Sequence, residues 1–333
     1  VLAPLDFEMA QLAHHELNAN GVELILNDGV ASFKDKGKKV VLESGTILDA
    51  DLIILSIGVR PENALAKSCG LALGERGHIK TTEQLQTLDA ITGGVVEDIY
   101  AVGDVILVKD YISGSDTAIP LAWPANRQGR LVADHINGID VSYKGSLGAS
   151  AIKVFNLTVA TVGNNERQLK AQGIKYEAIH AHRGNHASYY PGAKNIALKL
   201  LFDPDNGEIF GAQAVGGEGT EKRIDVIATA IKLGGTIRDL PELELCYAPP
   251  FSSAKDPVNI LGYIAGNVAD HVYEMVHWHE IDEIVKNGGY LIDIRTPKEF
   301  NAGTIEGAIN IELDELRDRI GEAIQSLRWI YHL

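Results

Sequence analysis

The sequence predicts a protein of mixed α/β and α+β class, and three observations predict it. The strand-like runs at 52–57 and 95–102 each stop at a glycine turn, and the first is continuously apolar, as buried parallel strands are. Residues 151–201 read as sheet, and Asp203-Pro204-Asp205-Asn206-Gly207 is a strong turn that makes 195–215 a hairpin. A further strand, 290–294, lies between two helical stretches near the carboxyl end. At 333 residues the chain has room for two or three domains with a sizeable core.

Residues 6–18 are expected to be a helix, because Leu5, Met9, Leu12, Ala13 and Leu17 fall near helical spacing. Asp6 is its expected N-cap and Asn20-Gly21 its stop. A short apolar strand is expected at 22–26, then alternating strands at 30–34 and 39–43 joined by Lys36-Gly37-Lys38. Residues 63–69 make one or two helical turns, and 123–137 form a helix ended by Gly138. Strands are expected at 153–162, 176–182 and 195–202, then an amphipathic helix at 221–233. Helices at 271–287 and 313–326 flank the last strand. Composition shifts near 145–150 and again after Gly266.

Hydrophobic residues make up 45% and charged residues 23%, which is ordinary for a globular chain. A net charge of −15 argues against a nucleic-acid partner, which needs clustered Lys and Arg. Two cysteines, Cys69 and Cys246, make neither a disulfide framework nor a zinc site, which fits a reducing cytoplasmic compartment. Both are expected to be structural, and Cys246, in an apolar stretch, to be a small buried hydrophobe. No apolar run is long enough for a membrane span. The histidines, His180, His182 and His186 among them, lack a tight ligand spacing with a carboxylate, so no metal is expected. The chain opens at Val1 without Met and stops soon after an amphipathic helix, so it reads as a fragment.

Chemistry concentrates first at Ile99-Tyr100-Ala101-Val102-Gly103-Asp104. A strand ending in Gly-Asp presents a carboxylate at the carboxyl edge of a sheet, where ligands bind. The glycine lets backbone approach closely, and the ionised Asp accepts short hydrogen bonds from sugar hydroxyls. Alone, the motif equally describes a turn cap. Its flanks add weight: Ile57-Gly58-Val59-Arg60-Pro61 lies upstream, and Pro120-Leu121-Ala122-Trp123-Pro124-Ala125-Asn126 downstream opens a helix whose N-terminus suits a polar cofactor group. These three pieces, in this order, resemble the pyridine nucleotide-disulfide oxidoreductases. The resemblance implies that Asp104 bonds the ribityl chain of FAD. It implies further cofactor contacts from Gly58, Gly103, Pro120, Leu121, Ala122, Asn126, Ala248 and Phe251.

Two later segments narrow the resemblance. Leu245-Cys246-Tyr247-Ala248-Pro249-Pro250-Phe251-Ser252-Ser253 and Tyr189-Tyr190-Pro191-Gly192 resemble the dimerisation domain of coenzyme A-disulfide reductases and NADH-dependent persulfide reductases. In those enzymes two tyrosines of the partner subunit stand near the reactive cysteine and the CoA-thiol substrate, which makes Tyr189 and Tyr247 the catalytic candidates. A phenol can donate to a leaving thiolate while staying neutral at pH 7. Interface packing is the plain alternative. At the end of the chain, Asp293, Arg295 and Glu299, followed by Gly303-Thr304-Ile305-Glu306-Gly307, resemble the first half of a rhodanese domain, with Thr304 where that family has His. These residues are expected to hold the fold. The rhodanese family's persulfide-forming cysteine is not in this chain.

The implied organisation is the remnant of two nucleotide-binding α/β domains, an α+β dimerisation domain and the first half of an α/β rhodanese domain. The expected segments are 1–50 (end of an NAD(P)-binding domain), 51–148 (returning FAD-binding segment), 149–266 (dimerisation) and 270–333 (partial rhodanese). No Gly-x-Gly-x-x-Gly stands at a strand-to-helix junction, and Gly216-Gly217-Glu218-Gly219 reads as a flexible turn. The implied activity is FAD- and NAD(P)H-dependent reduction of CoA disulfide, CoA persulfide or polysulfide by a homodimer, through a redox cysteine outside this chain. The alternatives are an NADH oxidase or peroxidase of the same family and an inert dimerisation and partner-binding module.

Overall fold

The computed structural model describes residues 2–323 and 329–332, and the chain divides into two compact units, 1–270 and 271–333. In the first unit, helix α1 (Phe7–Ala19) buries Met9, Ala10, Ala13 and His14. Asp6 stands at its N-cap position, but its side chain does not cap the helix. It accepts instead from Gln213 Nε2 at 2.7 Å and from the Glu166 N–H at 3.1 Å. A buried carboxylate takes the donors that tertiary packing supplies. Strands β1 (Val30–Lys34), β2 (Lys39–Leu42) and β3 (Ile47–Asp49) form an antiparallel sheet in that order.

Two expected strands are corrected here. Residues 22–26 and 52–57 join no sheet among the described residues. A strand exists through its ladder partner, so an apolar sequence alone does not make one. The second run is also not buried: Leu52, Ile54 and Ile57 are 79%, 80% and 89% exposed.

Helix α2 (Ala64–Ser68) leads to β4 (Gln86–Leu88) and β5 (Val95–Tyr100), which pair with each other and are antiparallel. The strand expected at 95–102 is β5, over 95–100, and its ladder among the described residues is antiparallel. Glu97 and Asp98 within it are exposed, which a strand buried on both faces would not tolerate. A short turn at 103–105, the two-residue strands β6 (Val108–Lys109) and β7 (Asp116–Thr117), and helix α3 (Ala122–Ile136) follow. Leu71, Ile79, Leu85, Ile106 and Leu131 pack together as the core of this region.

The largest sheet is built next. Strands β8 (Ser150–Val154) and β9 (Leu157–Gly163), helix α4 (Glu166–Gln172), strands β10 (Glu177–Gly184), β11 (Asn195–Phe202) and β12 (Ile209–Gly216), and helices α5 (Thr220–Lys232) and α6 (Pro257–Ala269) complete the unit. The strand order is β10-β11-β12-β9-β8, antiparallel throughout. The hairpin expected at 195–215 is β11–β12. Its turn is closed by Asp203 N–H donating to Glu208 O at 2.8 Å, with Gly207 at φ +80°. The single strand expected at 153–162 is two, because the chain reverses at Phe155, whose φ is +47°. Helix α4 carries a capping box from Asn165 and Gln168. Helix α6 begins with Pro257 behind Asp256, whose carboxylate accepts the Val258 N–H at 3.0 Å.

Every residue of β12 is buried, so both faces of the sheet are covered. Val159, Ala197 and Val215 on one face pack with Leu5, Met9 and Ala13 beside α1. Helices α5 and α6 cover the other, α5 along β9 and β12 and α6 along β10.

The second unit holds α7 (Ile281–Lys286), β13 (Tyr290–Asp293), α8 (Pro297–Ala302), β14 (Ala308–Asn310), α9 (Leu316–Ala323) and β15 (Trp329–His332). Its sheet is parallel, in the order β14-β13-β15. The helix expected over 271–287 is only a turn at 278–280 followed by α7. The helix expected over 313–326 is α9, and residues 324–326 lie outside the described ones. No described helix is long and apolar enough to cross a membrane.

Candidate active site

The structure brings Tyr189 and Tyr247 together. They lie on separate loops, one after β10 and one before α6, and their hydroxyl oxygens are 3.1 Å apart. Both rings reach solvent, at 75% and 48% exposure, so a substrate can reach either phenol. The shared hydrogen bond to Tyr189 pushes the Tyr247 phenol above its usual value of 10.0. Tyr247 thus keeps its proton at neutral pH, and a pair of hydroxyls joined by one hydrogen bond has a second proton to point outward. Phe251 N–H donates to Ala248 O at 2.9 Å, which makes the turn that follows Tyr247.

A second corner gathers the strand-Gly-Asp motif and the start of α3. Gly103, at φ +79°, donates its N–H to Gln128 Oε1 at 2.7 Å, and a Cβ added to it would stand 3.7 Å from the Ala125 Cβ. That contact ties the motif to α3, which carries Ala122 and Asn126. Asn126 turns its Nδ2 back onto Ala122 O at 2.8 Å. Leu121, at the N-cap position, gives α3 no side-chain cap, and its first turn holds no acidic residue. The N–H groups of Ala122 and Trp123, with the helix dipole, are therefore what α3 offers an acceptor, since Pro124 has no N–H and the Ala125 N–H donates to Leu121 O at 3.3 Å. Asp104 and Pro120 are exposed. Gly58, at φ +93°, lies in the exposed apolar run.

The cysteine expectation is corrected. Cys69 and Cys246 are both exposed. Neither sits in a helix or strand, so no packed layer covers them. The glycine cluster at 216–219 is also tighter than a flexible turn. A Cβ at Gly216 would stand 2.7 Å from Ile196 Cα, and one at Gly219 would stand 2.6 Å from Arg223 Nη1.

A buried polar cluster that the sequence reading missed lies where α1 meets the large sheet. Lys199, fully buried on β11, reaches Asp6 at 2.9 Å, Glu8 at 2.5 Å and Glu166. Burial alone raises the Glu8 carboxyl, but hydrogen bonds from His180 and Lys199 outweigh it and lower it to about 2. Glu166 is likewise raised by burial and, against that, lowered to about 2 by Lys170, Lys199 and Tyr176. The three carboxylates come within 4.8 Å of one another, and the cation they hold is the Lys199 ammonium. A lysine inside an apolar strand is the sequence signal for such a pair.

In the second unit, Asp293 is fully buried and takes Arg295 Nη2 at 2.5 Å and Thr304 Oγ1 at 2.8 Å. The Arg295 guanidinium holds the Asp293 carboxyl far below the usual carboxylate range. Glu299 caps α8 reciprocally with Thr296. These contacts fix loop geometry.

Three segments of the chain match known families. The family profile for pyridine nucleotide-disulphide oxidoreductase matches residues 1–129, the dimerisation domain of the same family matches 149–257, and a rhodanese-like domain matches 275–328. The coenzyme A disulfide reductase of Staphylococcus haemolyticus is 35% identical over 262 residues, covering 78% of this chain and 57% of that protein. The crystal structure of reduced Bacillus anthracis CoADR-RHD superposes with a TM-score of 0.92 at 54% identity, covering 97% of this chain and 57% of that one. A NAD-dependent persulfide reductase from A. fulgidus superposes at 0.86 with 35% identity, covering 96% of this chain and 57% of that one. The chain thus spans little more than half the length of these relatives. With two profiles of one family matched in order along its first 257 residues, the chain belongs to the pyridine nucleotide-disulphide oxidoreductases and carries a rhodanese-like domain after them.

Proposed function

We propose that this chain forms the sulfur-acceptor side and part of the flavin site of an NAD(P)H-dependent reductase of CoA disulfide or CoA persulfide. The observation that carries the reading is the hydroxyl pair of Tyr189 and Tyr247. Two neutral phenols at an exposed site can hold a sulfur anion without adding charge. The phenol that donates outward protonates or stabilises the departing CoA thiolate, and its neighbour donates to the phenol oxygen and strengthens it as a donor. Reduction of CoA disulfide consumes two electrons and two protons and releases two CoA thiols; CoA persulfide gives one CoA thiol and hydrogen sulfide. The redox cysteine that exchanges with this sulfur lies outside the chain.

FAD, when bound, supplies the two-electron relay between nicotinamide and sulfur. The exposed Asp104 carboxylate suits the ribityl hydroxyls, and the uncapped start of α3 suits a polar edge of the cofactor. Gly58, Pro120, Leu121, Ala122 and Asn126 complete that contact from one subunit. Ala248 and Phe251 come from the other, because their loop belongs to the dimerisation domain. The active form is a homodimer, acts on a small molecule and works in the cytoplasm. We divide the chain into an NAD(P)-domain end at 1–50, a returning FAD segment at 51–148, a dimerisation domain at 149–266 and a partial rhodanese domain from 270.

The test uses a polypeptide carrying this chain together with the remaining length of its relatives. NADH-dependent turnover of CoA disulfide and CoA persulfide falls about 100-fold in Tyr247→Phe and Tyr189→Phe. Flavin absorbance after gel filtration falls in Asp104→Ala. Unchanged turnover in the double Phe variant would remove the tyrosine assignment.

A further inference from the structure

We propose that Arg223 is the positioning residue of the tyrosine pair: one buried guanidinium on α5 grips both loops and sets the distance between the two hydroxyls. Arg223 is 1% exposed. Its Nη2 donates to Asn185 O at 2.8 Å, on the loop that carries Tyr189. The same Nη2 reaches Asp256 Oδ2 at 2.9 Å, at the end of the loop that carries Tyr247. Ser252 completes the grip. Its hydroxyl donates to Asp256 Oδ2 at 2.5 Å, and its carbonyl accepts the Ala187 N–H at 3.1 Å. That last bond is a direct backbone tie between the two loops. Nη1 closes on Gly219 O at 2.9 Å, in the turn where a Cβ would collide with the guanidinium.

The physical argument is one of charge and shape. A buried guanidinium must be paired, and its planar fork fixes the angle between its acceptors. Here those acceptors belong to two loops that have no other regular structure. The tyrosines themselves are too exposed for packing to position them. The distance between their hydroxyls is therefore inherited from the buried clamp, and a displacement of about 1 Å is enough to cost about 100-fold in rate. Arg223 itself stays out of the chemistry, because it has no path to solvent.

This inference rests on the reading of Tyr189 and Tyr247 as the acceptor-side pair, so its test reads the pair directly. The 333-residue chain is labelled with 3-fluorotyrosine, and the signals of Tyr189 and Tyr247 are assigned with Tyr189→Phe and Tyr247→Phe. In the parent chain, removing either hydroxyl shifts the fluorine signal of the other residue. In Arg223→Lys, and in Arg223→Gln combined with Asp256→Asn, that mutual shift disappears, while the signals of the remaining tyrosines stay in place. In the enzyme carrying the full length of its relatives, the same two variants lower kcat about tenfold or more and leave KM for the nicotinamide unchanged. If Arg223→Lys loses all dispersed signals it has unfolded, and Arg223→Gln combined with Asp256→Asn, which removes both buried charges together and keeps a capping side chain on α6, decides. Persistence of the mutual shift in that double variant overturns the clamp. A mutual shift that is lost as expected, with turnover indifferent to both Phe substitutions, leaves the clamp standing and overturns only the functional reading.

Discussion

Lys199→Met is the most demanding test of how the first unit is held together. The substitution keeps an unbranched chain out to Cε and removes the cation from a site with no exposure. Asp6, Glu8 and Glu166 are then left within 4.8 Å of one another without the ammonium they share; Glu166 keeps Lys170 and Glu8 keeps His180, while Asp6 loses its lysine. Lowering a carboxyl from 4.5 to about 2, as for Glu8 and for Glu166, is worth about 3 kcal/mol at about 1.4 kcal/mol per unit, and Lys199 supplies a share of it behind His180 for Glu8 and Lys170 for Glu166. Both carboxyls draw on the same ammonium, so the two values do not add. The expected loss at pH 7 is therefore about 3–5 kcal/mol, the range for breaking a buried ion pair from one side. The folded-state values lie below the 4.5 of the unfolded chain, so the contribution is complete above pH 4.5 and drains away as pH falls toward 2. Urea unfolding of parent and variant at pH 7 and at about pH 3.5 then gives a gap that shrinks by about 1 kcal/mol or more at the lower pH. Lys199→Met combined with Asp6→Asn, Glu8→Gln and Glu166→Gln recovers most of the loss, because the uncompensated charge goes with it. A gap below about 1 kcal/mol at pH 7, or an equal gap at both pH values, would refute the ionic account.

Three further outcomes are expected. Gly163→Ala lowers stability by about 3 kcal/mol in urea, because Gly163 sits at φ +71° and the new Cβ would stand 2.3 Å from Phe210 O, a backbone atom that cannot swing away; a change under about 0.5 kcal/mol would contradict the packing described. Thr296→Ala costs the second unit about 1 kcal/mol, read from its thermal midpoint, through loss of the α8 cap and of the 2.6 Å bond to Glu299; an unchanged midpoint would mean the cap contributes nothing. Tyr189→Phe moves the Tyr247 phenol down toward 10.0, because the hydrogen bond that raises it is gone; phenolate absorbance at alkaline pH measures this, and an unmoved titration would deny the pair.

What was legible in the sequence depended on how locally each feature is determined. The hairpin of β11 and β12 was readable because Asp203-Pro204-Asp205-Asn206-Gly207 carries its own turn chemistry. Helices α1, α3 and α5 were readable because one apolar stripe each sufficed. Residues 52–57 misled because apolar character reports a preference for burial, while a strand needs a neighbour. Helix α6 went unread although Asp256-Pro257-Val258-Asn259 is a capping signature, because that stretch was absorbed into a motif reading. At the site, the tyrosines were nameable from motifs, but their 3.1 Å meeting was not. It depends on Arg223 and Asp256, far apart in sequence and individually unremarked. Lys199 could have been flagged as the one charge inside the apolar run from Ile196 to Phe202. Its three partners lie at positions no local pattern connects.

The docking of α1 has a consequence for the order in which the molecule is made. Its anchors are distant: Glu8 meets Lys199 across 191 positions and Asp6 meets Gln213 across 207. At a synthesis rate of about 5–20 residues per second, α1 leaves the ribosome about 10–40 s before Gln213 exists. During that interval Met9 and Ala13 have no sheet to cover them. Native docking is also the closure of a very long loop, which is entropically late and slow. Helix α1 thus docks after β11 and β12 exist, and the five-stranded sheet is the template on which it settles.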